Sequence, residues 1–189
     1  MQPLLTKIKK CEICDGLLPY KPNPVLAASP DSKILIIGQA PGQKVHDSGI
    51  PWDDKSGDEL RRWLGINKIQ FYDTKLFALM PMGFCYPGKG TSGDLPPRPE
   101  CAPKWHAQLL QQMKNVKLTI LIGSYSQKYY LREKLKPTLT ETVESFHEYL
   151  PQYFPLVHPS PRNRIWQAKN PWFEKDVVPF LQKTTVGIL

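Results

Sequence analysis

A chain of 189 residues, 41% apolar and 22% charged, suits one domain with a substantial core and is short for two. No apolar run approaches the ~18 residues of a membrane span, and residues 1–7 lack the basic cluster and long apolar stretch of a secretory signal, so a cytoplasmic protein is expected. Lys and Arg outnumber Asp and Glu by 25 to 17, and the resulting +8 favours phosphate-bearing partners.

Four short apolar segments read as buried parallel strands: residues 33–37, 74–80, 118–122 and 154–157. Each ends in Gly, Pro or His-Pro. Pro155 cannot donate to a ladder, which puts the fourth strand at an edge or a strand start. Helices are expected between them. Ser56 and Glu59 form the pattern of a capping box, with Leu60, Trp63 and Leu64 following and Gly65 as the stop. A second helix starts near Pro103, with Trp105, Leu109 and Met113 on one face. A third follows Gly123 through Tyr125, Tyr129 and Tyr130. Thr138 and Glu141 cap a fourth, which turns Val143, Phe146 and Leu150 inward and stops at Pro151. Asn170-Pro171 opens the last, with Phe173, Val177 and Phe180 inward, and Pro179 should kink or end it.

Strands alternating with helices imply right-handed crossovers and an α/β/α three-layer sandwich around a four-stranded parallel sheet, in one domain over 1–189. In such a sheet the functional cleft lies beyond the carboxyl ends of the strands. Gly38, Pro81, Gly123 and His158 all fall there. Gly38, Gln39, Ala40, Pro41 and Gly42 form a tight turn whose amides can face a ligand, or simply a strand-to-helix connection. It is no Walker loop, because no Gly-Lys-Ser/Thr follows. His158 can donate to an oxygen that gains charge, or pin its own loop. The stiff segment behind it carries Ser160, Arg162 and Arg164, which suit phosphate contact. Asp54, beside Asp53, stands near a helix start, where a carboxylate serves chemistry or only the helix dipole.

Cys11 and Cys14 form one close pair, and Cys85 and Cys101 a distant pair around a Gly/Pro-rich loop. In a reducing compartment these point to metal, or to simple burial, rather than disulfides. Four thiolates of this spacing suit either a structural zinc or an iron–sulfur cluster.

Taken together, Gly38-Gln39-Ala40-Pro41-Gly42, His158-Pro159-Ser160-Pro161 and the cysteine order resemble the uracil-DNA glycosylase superfamily over most of residues 8–182. The cysteine arrangement is similar to that of its iron–sulfur members, families four and five. The resemblance implies a [4Fe–4S] cluster on Cys11, Cys14, Cys85 and Cys101, and a role in base-excision repair. It implies that the amides around Gln39 and Ala40 hold an extruded base and that His158 hydrogen-bonds the departing base. Trp52 stands where those families place a phenylalanine that stacks on uracil, and is otherwise a core residue. Asp54, in Asp54-Lys55-Ser56-Gly57, resembles the catalytic carboxylate of family five. Three positions depart from the pattern. Gln39 replaces the glutamate of family four. Pro81 replaces its pyrimidine-reading asparagine. Arg162 stands where some relatives place a leucine wedge.

The expected protein is thus a monomeric, monofunctional glycosylase that hydrolyses the N-glycosidic bond of uracil, and of other deaminated bases, in DNA. Lys89, Arg98, Arg162 and Arg164 are the candidate phosphate contacts. Two other readings fit the residues. One is a non-catalytic nucleic-acid-binding protein with a metal centre, and the other an α/β enzyme that processes small-molecule nucleotides.

Overall fold

The computed structural model describes residues 1–189. Four parallel strands, β1 (Ile34–Ile37), β2 (Phe77–Leu79), β3 (Leu118–Ile122) and β4 (Tyr153–Leu156), form one sheet in the order β2-β1-β3-β4. Ile34 pairs with Phe77 on one side and Leu118 on the other, and Thr119 pairs with Tyr153. Three ladders join the strands, and helices cover both faces of the sheet, which explains why all four segments are apolar. β4 lies at an edge, where the missing N–H of Pro155 leaves no gap in a second ladder.

Alternation along the strands divides the core into two layers. Ile34, Ile36, Leu79, Ile120 and Phe154 point to one face, against Leu60 and Trp63 of α3 (Lys55–Leu64) and Val178 and Leu181 of α9 (Val178–Ile188). Leu35, Ile37, Ala78 and Leu121 point to the other. There they meet Leu4 and Ile8 of α1 (Gln2–Lys9), Trp105 and Leu109 of α5 (Cys101–Leu110) and Leu131 of α6 (Gly123–Leu131). This is the expected three-layer α/β/α sandwich. Its helices include none long and apolar enough to cross a membrane.

Several helix ends differ from expectation, each for a local reason. The Ser56–Glu59 box does not form. Asp54 is the N-cap of α3, with extended backbone, and its Oδ1 accepts from the Gly57 N–H at 2.9 Å. Glu59 pairs with Arg62 instead. Two caps competed two residues apart, and the aspartate, whose preceding backbone turns sharply at Trp52, took the helix start. The Thr138–Glu141 box does form, on α7 (Leu139–Glu144), but that helix ends at once and residues 146–149 make a 3-10 turn. In α6 the buried positions are Ser126, Gln127 and Leu131, while Tyr125 is exposed. Met113 is buried beyond the end of α5.

Pro179 acts differently from either a kink or a stop. Residues Phe173–Val177 form a π turn that runs straight into α9, where Pro179 sits in the first turn. The wider turn places the proline at a helix start, where its missing N–H is not needed. Three short helices complete the set: α2 (Gln43–Ser48), α4 (Lys68–Tyr72) and α8 (Arg164–Lys169).

Candidate active site and cysteine centre

Beyond the carboxyl ends of the strands lies a cleft of about 440 Å³. That volume lies within the range of small-ligand sites. Gly38, Gln39, Ala40, Pro41 and Gly42 from the β1 loop, Trp52 and Asp54 from the approach to α3, and Pro81 after β2 line it. His158, Ser160 and Arg162 after β4 line it as well. Residues dispersed over 125 positions of sequence therefore share one wall-to-wall space. Arg164 does not join them. It opens α8, exposed, with its charge toward Glu59. Arg98 pairs with Glu100 beside the cysteines, away from the cleft.

The β1 loop is laced to the chain that follows β2. Met82 N–H donates to the Gly38 carbonyl at 2.9 Å and Gly83 N–H to the Gln39 carbonyl at 3.0 Å. The Gln39 side chain has a separate partner, because its Nε2 donates to the Leu95 carbonyl at 3.2 Å. It thereby pins a small hairpin, in which Lys89 bridges Asp94 and Leu95 N–H donates to the Gly88 carbonyl at 2.8 Å. Ser92, Gly93 and Asp94 of that hairpin form a cleft wall that sequence reasoning missed. The available signal was Gly88, Gly90 and Gly93 within six residues, a spacing that marks turns rather than a plain linker.

Trp52 holds a left-handed backbone, φ 57°, which a tryptophan adopts only when its surroundings impose it. Two glycines do so. A Cβ on Gly57 would stand 1.9 Å from the Trp52 carbonyl oxygen, and one on Gly38 would stand 2.8 Å from its ring. The indole thus passes over Gly38 and meets the His158 ring at 5.7 Å between centroids, inclined by 31°. It is half-buried, touching the core on one side and the cleft on the other.

Asp54 faces the cleft, whereas neighbouring Asp53 lies outside the lining, 3.7 Å from Lys68 Nζ. His158 is held by its backbone: Asn163 Nδ2 donates to its carbonyl at 2.7 Å, and Asn163 N–H to the Ser160 carbonyl at 2.9 Å. Burial lowers the His158 pKa below the ordinary histidine value, against an upward pull from Asp54. At neutral pH the imidazole is therefore uncharged, and one ring nitrogen can donate to an oxygen.

Behind Pro81 lies a second histidine. His106, only 1% exposed, bonds through Nε2 to the Pro81 carbonyl at 3.1 Å and through Nδ1 to the Tyr130 hydroxyl at 2.7 Å. The carbonyl can only accept, so Nε2 carries the proton and Tyr130 donates. Burial pushes its pKa down to about 4. Between the unfolded value near 6.5 and that of the folded state, only the unfolded chain binds the proton. Stability is therefore present above pH 6.5 and is lost as pH falls toward 4, by about 3 kcal/mol from this group. Urea midpoints measured across that window should fall with pH, and His106→Gln should remove the larger part of the slope.

The four cysteines are free thiols around one small cavity that also takes in Ile13, Pro22, Pro24, Phe84 and Trp105. Phe84 N–H donates to Cys101 Sγ at 3.4 Å. Burial first, and then the neighbouring thiols, raise Cys85 to about 11 and Cys101 to about 12, and Cys14 is raised as well. As they stand, no three metal-ligating side chains are gathered closely enough to hold a metal ion. Four cysteines lining one small cavity, with a backbone donor to one sulfur, nonetheless fit the donor set of a thiolate-bound centre.

The comparison with known families accords with this layout. The model of the uracil DNA glycosylase superfamily matches residues 27–182, which take in the whole sheet, both motif loops and the 88–95 hairpin. The members of that superfamily are DNA glycosylases. With its four-stranded parallel sheet and its cleft at the strand ends, this chain belongs to the uracil DNA glycosylase superfamily.

Proposed function

We propose that the protein is a monofunctional DNA glycosylase that removes uracil, and at least one deaminated purine, to begin base-excision repair. The observation that carries this reading is the gathering of the Gly38–Gly42 loop, Trp52, Asp54 and His158 around one cleft of about 440 Å³. Ser160 and Arg162 at its mouth meet the DNA backbone, and the +8 charge draws the strand in. The target base leaves the stack, most cheaply when it is mismatched. It lies against Trp52, a contact type that contributes ~1–3 kcal/mol per base. The amides around Gln39 and Ala40 hold its carbonyl oxygens.

Hydrolysis then separates charge. The C1′–N bond lengthens, its electron pair goes to the base, and the sugar becomes cationic, as in glycoside hydrolysis. Neutral His158 donates to the base oxygen that gains negative charge. Asp54 stabilises the cationic sugar and orients the water that attacks C1′. A [4Fe–4S] cluster on Cys11, Cys14, Cys85 and Cys101 would fasten the 85–101 segment, and with it the cleft wall. The chemistry above needs no redox step.

Substrate range follows from Pro81. A site that reads a polar edge with a side chain rejects analogues strongly, because its own buried groups are otherwise unpaired. Proline has no such side chain to offer, and its carbonyl is turned to His106. Excision of uracil, hypoxanthine and xanthine from otherwise identical duplexes tests the proposal. Uracil opposite guanine should be removed fastest, and one purine measurably. If none is removed at high enzyme while DNA is still bound, the protein is a binding module. If DNA is not bound at all, it acts on small nucleotides.

A further inference from the structure

Asp94 stands out among the cleft residues that the mechanism leaves unused. It lies on the hairpin that Gln39 pins through Leu95, where it forms the bridge with Lys89. Its carboxylate faces Gly42: a Cβ placed there would stand 3.5 Å from Asp94 Oδ2. At that distance a Cβ would be in ordinary van der Waals contact with the carboxylate, which thus lies beside the end of the base-binding loop. On the opposite side, the Arg162 guanidinium closes on the neighbouring Gly93, where a Cβ would stand 3.0 Å from Nη1.

The carboxylate is unengaged. Arg162, Lys89 and Asp54 act on it only through their charges, with no hydrogen bond to its oxygens. Although the residue is exposed to the open cleft, the surrounding walls withhold enough water to raise its pKa above the ordinary aspartate value. An unpaired acid is an odd occupant for a cleft that draws in a polyanion, since it repels phosphate. It is favourable there only opposite a hydrogen-bond donor.

We infer that Asp94 is a specificity-determining residue, whose carboxylate accepts a hydrogen bond from the ring N–H of the extruded base. This rests on the glycosylase reading above. The chemistry of deamination supplies the reason. Cytosine and adenine present a ring nitrogen lone pair on their pairing edge. Deamination turns that nitrogen into an N–H donor, in uracil and hypoxanthine alike. A carboxylate attracts the N–H and repels the lone pair, so it distinguishes uracil from cytosine and hypoxanthine from adenine, each deaminated base from its parent, across both ring sizes. The flanking carbonyls are left to the β1 loop amides and to His158. Such a reader also replaces the one that Pro81 cannot provide, without restricting the site to pyrimidines.

Asp94→Asn and Asp94→Ala test this, since neither removes a hydrogen bond of the folded protein. Loss of the charged acceptor in Asp94→Ala should lower kcat/KM for uracil and for hypoxanthine by roughly 10–100-fold. Asp94→Asn can turn its NH₂ toward a lone pair. It should therefore narrow the ratio of uracil to cytosine binding, read on duplexes whose target nucleotide carries a 2′-fluorine that blocks cleavage. An equal loss on every base with that ratio unchanged would overturn the inference. The binding ratio needs no turnover. If the wild type excises nothing, the glycosylase reading fails by itself, and an unchanged or narrowed ratio in Asp94→Asn still decides the role of Asp94.

Discussion

Asp54→Asn should slow single-turnover excision by about 10²–10⁴-fold, the range over which positioned acids and bases act. DNA affinity and thermal stability should stay close to those of the wild type. The distinction between chemistry and structure is available here because Asp54 has both duties. One oxygen caps α3 through the Gly57 N–H, while the residue faces the cleft. Asparagine caps a helix about as well as aspartate, so the substitution leaves the helix start in place and removes only the charge. A cationic sugar opposite a neutral amide loses its nearest counter-charge in the transition state, where that interaction matters most. Asp54→Ala should add a loss of about 1 kcal/mol in stability from the missing cap. Asp53→Asn is the control, for Asp53 lies toward Lys68 and outside the cleft. Activity that survives Asp54→Asn and disappears in Asp53→Asn would reverse the assignment.

The strands were legible because a parallel strand buried on both faces must be continuously apolar, and few other elements look like that at five residues. The strand ends then led directly to the motif loops, since the cleft of such a sheet has only one place to be. What escaped notice depended on choices between near-equal local signals. Asp54 and Ser56 both make good caps, and only the backbone turn imposed at Trp52 decides between them. The π turn before Pro179 arises from a proline that must sit at a helix start, which periodicity alone does not convey. The hairpin at 88–95 has no alternating apolar pattern, so nothing in its composition separates it from a loop. Asp94 was hidden with it. His106 left a clearer trace: positions 102, 105, 106 and 109 share one helical face, and all four are buried. A polar residue on that face needs partners, which Pro81 and Tyr130 supply from distant segments.

Protein purified without oxygen should be brown and carry about four irons per chain, the number in a four-thiolate cubane. Cys85 and Cys101, at about 11 and about 12, hold their protons firmly when nothing cationic is present. A metal centre reverses that balance, because it takes the thiolates and releases the protons. Its binding free energy then becomes folding free energy for the segments it joins. Those segments are extensive. Cys11 and Cys14 follow α1, Cys85 follows β2, and Cys101 opens α5, while α1 and α5 pack together through Leu4, Ile8, Ala102 and Trp105. Cys101→Ser should therefore lose iron and soluble yield together, and the 88–95 hairpin should become more open to proteolysis. Colourless protein with one tightly held zinc would overturn the cluster. Full stability in Cys101→Ser would show that the cavity closes without any metal.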